Sequence, residues 1–378
     1  ECTLCPPSPR YPTHTPPLSS TPLQARLVTI LVRSEATNDT QSSHHNFCHA
    51  LCSSGGSSAS AWHGLATLLH SSQPGVAAAG AEAIAAIGSS SHSAELCNTM
   101  TATQAARPLL LLVSRYQQHL GAAGAAAAAL HALANAHARP GMLELLTSSF
   151  TEQVSSTALP LGDSCIAIML SSDCLAACRA ARLTAALAGG VNWAAAVTSK
   201  TSSDGSGCSM WGEAFRAAQH VVQRGRNSDS TGGEEGSPTV AGAVLLRALV
   251  VAGCPRGGAE AVAAGLVRDP APGAGGSKSR EDLCLEAMVL VVQKLQSYDV
   301  NRAGKEVQVQ VLLQLLRVLV GHMGEARVCG ALPELFGVVV PLLEALQRKG
   351  GSSGSSNGGC GLAQVARQLH EQLMARGG

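Results

Sequence analysis

Apolar residues recur at helical spacing through most of the chain, and five stretches share one form. Each has an apolar run of about 12 residues, an ordinary helix length, then a short Gly/His/Asn break and a second apolar run. They begin at Gly75 (GVAAAGAEAIAAIGSSSHSAEL), Leu120 (LGAAGAAAAALHALANAHARPGMLELL), Cys174 (CLAACRAARLTAALAGGVNWAAAV), Thr239 (TVAGAVLLRALVVAGCPRGGAEAVAAGLV) and Val307. One apolar position near the end of the first run matches in all five: Ile87, Leu133, Leu187, Leu249 and Leu319. Four residues earlier stand Ala83, Ala129, Leu183, Leu245 and Leu315. Positions four apart share a helix face, so each pair is expected to point into one core.

The matched positions lie 46, 54, 62 and 70 residues apart. A bare repeat of two or three helices takes about 40 to 47 residues. The excess falls in Gly/Ser-rich segments without apolar periodicity, near 53–60, 199–209, 224–238 and 268–282, which read as flexible insertions. Residues 1–23 (ECTLCPPSPRYPTHTPPLSSTPL) are rich in Pro, Ser and Thr and lack an apolar signal core, so they read as a disordered lead-in. The repeats occupy 24–347, a Gly/Ser linker covers 348–361, and 362–376 forms a C-terminal helix. That helix carries Leu362, Val365, Leu369 and Leu373 on one stripe, as a cap would.

The last stretch, RVLVGHMGEARVCGALPELFGVVVPLLEAL, has a second helix, a short break, a glycine at Gly330 and a third helix opened by Pro333. In this it resembles the end of an armadillo repeat, and the Leu120 stretch is similar. The resemblance runs from about Trp62 to Leu346, with HEAT repeats as the near alternative. It implies an all-α fold, a right-handed superhelical solenoid of armadillo/HEAT-like helical repeats. Importin-like members hold extended peptides with a Trp and Asn ladder. Here the Asn slot holds Ser89, Asn135, Gly189, Val251 and Gly321, and His131 stands in the Trp slot before Asn135. Only Asn135 fits, so a nuclear-import function does not carry over.

Composition sharpens the fold class. Of 378 residues 46% are hydrophobic, only 13% charged and only 3% aromatic. Alanine, leucine and valine therefore carry the burial, which favours helices packed closely through small side chains. The net charge is +1 and basic residues are scattered singly along the chain, so no nucleic-acid partner is expected. A membrane span needs about 20 apolar residues, and the run AGAVLLRALVVAG (241–253) is shorter and holds an arginine. The 13 cysteines are an odd number, mostly within apolar runs (Cys97, Cys165, Cys284, Cys329). That usage fits reduced thiols and an intracellular, cytoplasmic setting.

Candidate chemistry is thin. HHNFCHALC (44–52) places His45, His49, Cys48 and Cys52 at helical spacing, with Cys2 and Cys5 upstream, but the second pair is CxxxC and finger-like organisation is missing. HEQLM (370–374) has Met374 where a zincin helix needs its second histidine. GAGGSKS (273–279) lacks the glycine before Lys278 and the strand that a phosphate loop requires. Glu234 and Glu235 sit in an insertion, while Glu281, Asp282 and Glu286 complement a helix start. No cofactor, metal, catalytic residue or small-molecule substrate is therefore expected. A non-enzymatic scaffold that binds a protein along its groove is the expectation, with Asn135, Glu144, Asn192, Glu260, Arg268, Glu334 and Glu344 as candidate contacts. The alternative is a solenoid arm of a larger protein, such as a ubiquitin ligase, a kinase or a ciliary or cytoskeletal component.

Overall fold

The computed structural model describes residues 65–89, 102–135, 140–151, 159–189, 210–228, 237–253, 280–297, 305–323, 337, 339–352 and 357–377. The described residues are helical, and no strand occurs among them. The helices are α1 (65–69), α2 (Pro74–Gly88), α3 (Ala102–Ser114), α4 (Leu120–Asn135), α5 (Pro140–Thr151), α6 (Leu161–Leu170) and α7 (Cys174–Ala188), then α8 (Met210–Ser228), α9 (Pro238–Gly253), α10 (Arg280–Gln296), α11 (Glu306–His322), α12 (Val340–Ser352) and α13 (Asn357–Gly377).

Local chemistry accounts for several boundaries. Pro74 opens α2, where its missing N–H costs nothing. Asp173 caps α7 by accepting from the Ala176 N–H at 3.0 Å. Glu281 and Asp282 lie in the first turn of α10 and Lys294 in its last, complementing the helix dipole at both ends. Pro108 lies inside α3 and removes one helical hydrogen bond there.

The helices pack in two rows. In the first, α2 packs on α4, α4 on α7, α7 on α9, α9 on α11 and α11 on α13. In the second, α3 packs on α6, α6 on α8 and α8 on α10. Across the rows the pairs are α3 with α4, α6 with α7, α8 with α9 and α10 with α11, and α12 pairs with α13 at the end. One continuous apolar core runs through these contacts, from Leu65 to Leu373.

The first run of each of the five stretches is a first-row helix: α2, α4, α7, α9 and α11. All ten matched positions, from Ala83 and Ile87 to Leu315 and Leu319, are buried. Each of these helices from α4 onward also pairs with the second-row helix that precedes it in the chain, α3, α6, α8 or α10. The reason lies in apolar faces such as Leu109, Leu110 and Val113 of α3 and Trp211, Phe215 and Val222 of α8, which are buried in the core. Helices also run on into segments of linker composition. α8 continues to Ser228, α12 to Ser352, and α13 begins at Asn357. The α13 stripe of Leu362, Leu369 and Leu373 is buried against its neighbours α11 and α12. The assigned helix α12 starts at Val340 with Pro341 in its first turn, and Pro333 lies outside the described residues. So do the lead-in, the 44–52 cluster, the insertions at 53–60 and 199–209, and the 273–279 run.

Close approach sets the geometry of the first row. A methyl group on Gly88 would lie 2.9 Å from the Ala132 Cβ of α4. One on Gly124 would meet the Ala176 Cβ at 2.8 Å and its Cα at 2.9 Å. Between the rows, one on Gly242 would lie 2.9 Å from the Ala218 carbonyl oxygen. Glycine is required at these contacts because the opposing atoms belong to backbone or to the Cβ itself and cannot swing away. Gly121, on the same helix as Gly124, has nothing within 4 Å of the added atom. Identical substitutions on α4 should therefore act in opposite directions. Gly124→Ala should destabilise by about 1–3 kcal/mol through overpacking. Gly121→Ala should be neutral or stabilise by up to about 1 kcal/mol through helix propensity. Urea unfolding of both variants checks this, and equal effects would refute the close-contact account.

Candidate functional site

Among the described residues, each interior first-row helix has a neighbour on either side and a second-row helix behind it, which leaves one side uncovered by them. On α9 that side carries Val244, Arg247 and Val251, of which the valines are 38% and 54% exposed. On α11 it carries Gln314, Arg317 and Gly321. These positions stand five before, two before and two after the matched buried leucines Leu249 and Leu319. The same register places Glu82 on α2, His131 and Asn135 on α4, and Arg182 on α7, with Arg179 one turn before Arg182.

Side chains on this face reach from helix to helix. Arg179 of α7 pairs with Glu82 of α2 at 3.5 Å. That pair spans the intervening α4, which offers only the methyl of Ala128 at this register. Arg247 Nη1 of α9 donates to Gln314 Oε1 of α11. Arg317 Nη1 of α11 donates to Gln368 Oε1 of α13, and Gln372 Nε2 donates to the Arg317 carbonyl at 3.5 Å. Glutamine holds the guanidinium without cancelling its charge. Arg179, Arg182, Arg247 and Arg317 share this face among the described residues, with Glu82 paired to Arg179. Arginines scattered singly along the sequence are gathered in space.

The candidate contacts divide accordingly. Asn135 ends α4 on the uncovered face, its Nδ2 2.9 Å from His131 Nε2. Glu144 is exposed on α5, outside the first row. Glu344 is exposed on α12 and pairs with Arg348 of its own helix at 3.6 Å. Asn192, Glu260, Arg268 and Glu334 lie outside the described residues. The structure brings none of the described three together. The arginine stripe carried a sequence signal that composition hid: Arg247 and Arg317 stand two residues before their matched buried positions, and Glu82, Arg182 and Gln314 stand five before theirs.

Behind this face, polar groups tie α8 to α9 and to its second-row neighbours α6 and α10. Trp211 Nε1 donates to the Leu249 carbonyl at 3.1 Å, its ring stacks on Phe215 at 4.9 Å, and the Arg280 guanidinium lies 5.2 Å from it. Gln219 Nε2 reaches the Leu283 carbonyl and buried Lys294 Nζ reaches the Gln223 carbonyl, both at 3.3 Å. Arg224 donates to the Ser171 carbonyl and, at 3.3 Å, to that of Leu170, so its charge closes the negative end of α6. One turn before Arg224, His220 has a buried Nδ1 with no hydrogen-bond partner. Burial first, and the Arg224 charge second, hold its imidazole below the ordinary 6.5.

Cys165, Cys178 and Cys284 are buried free thiols, and Cys174 is half-buried. Burial pushes the Cys165 thiol up to about 12, against a lowering hydrogen bond with Thr184. Among the described residues no cluster of His, Cys, Asp or Glu could hold a metal ion. No helix among them is long and apolar enough to cross a membrane.

No protein-family model and no curated protein matches the chain. Among solved structures, it is similar at 15% identity to one described as the crystal structure of an engineered protein of the Northeast Structural Genomics Consortium. The similarity covers 94% of this chain and 97% of that one, with a TM-score of 0.26, which carries no argument about fold or function.

Two tests follow from the buried groups. An unfolded chain takes a proton at His220 near pH 6.5, while the folded chain resists it. This contribution to stability is full above that pH and is lost as pH falls below it. The melting temperature should drop between pH 7 and pH 5, and less steeply in His220→Gln; equal slopes would refute the assignment. Iodoacetamide should modify Cys174 well before Cys165, because only the thiolate reacts. Equal labelling rates by peptide mass mapping would refute the buried-thiol reading.

Proposed function

We propose that the chain is an α-solenoid of armadillo/HEAT-like repeats that acts as a non-enzymatic protein-interaction scaffold. The partner lies along the uncovered face of α2, α4, α7, α9, α11 and α13. The observation that carries this reading is the row itself: successive helices, each with one side uncovered and polar side chains that reach from one helix to the next. Stacked repeats of this kind present long open surfaces, which suit an extended partner better than a small molecule that needs enclosure. Free buried thiols at Cys165, Cys178 and Cys284 support work in a reducing compartment, and we place the chain in the cytoplasm on that basis.

The test is site-specific photo-crosslinking in the tagged full chain, expressed in its own cells. A photo-crosslinking residue at Val251, on the uncovered face of α9, should capture one stoichiometric protein. The same residue at Gln293, exposed on second-row α10, should not. No captured protein, or equal capture at both positions, would overturn the scaffold reading.

A further inference from the structure

We draw no further inference here: the strongest candidate, the side-chain cluster on α8 where the buried, unpartnered Nδ1 of His220 lies one turn before the Arg224 that closes α6, rests beyond that orphaned nitrogen only on a lowered imidazole pKa, which the pH test above already uses.

Discussion

Helices of the first row touch through backbone and methyl groups, and the rest of the structure depends on that closeness. Gly88 against Ala132 and Gly124 against Ala176 leave no room for even one added carbon. Dispersion falls off within an ångström, so contacts of this kind are strong only when nothing stands between the surfaces. A chain with few aromatic residues has limited means of filling wide gaps. It instead brings α2, α4 and α7 together until alanine suffices. The second row can then be anchored by a few larger groups, with Trp211 and Phe215 of α8 among the largest buried side chains.

The surface follows from the same constraint. Arg179 meets Glu82 two helices away because α4 between them is slim. Arg247 and Arg317 bond glutamines on the next helix, so their positions are fixed while their charges persist. A face with ordered guanidinium groups loses less side-chain entropy on binding than one with unrestrained lysines. Order in the packing thus becomes order in the recognition surface, without any residue on that face entering the core.

Much of the helical frame was legible in the sequence, and the site was legible only in part. Ile87, Leu133, Leu187, Leu249 and Leu319 stood out because leucine and isoleucine at helical spacing have few roles other than burial. Pairing between the rows was hidden, because α3, α6, α8 and α10 precede the anchored helices and fall outside the five matched stretches. Asn135 was found on the uncovered face by its register. Glu144 and Glu344 were chosen from helices outside that register, and they fall elsewhere. The arginines were read as scattered because 65 residues separate Arg182 from Arg247 and 70 separate Arg247 from Arg317. Distance along the chain says nothing of distance in space when each repeat returns to the same face.

The two ends of the first row should respond differently to force. A pull applied to the terminal helices loads the α2–α4–α7–α9–α11–α13 contacts in series, since each helix bears mainly on its neighbours. Between α2, α4 and α7 the interlocking parts are methyl groups and bare backbone, which disengage after a very short displacement. On α9 and α11 the buried residues include Leu245, Leu249, Leu315 and Leu319, whose longer side chains keep contact over a larger shift of the axes. The alanine end should therefore part after a short displacement and the leucine end after a longer one.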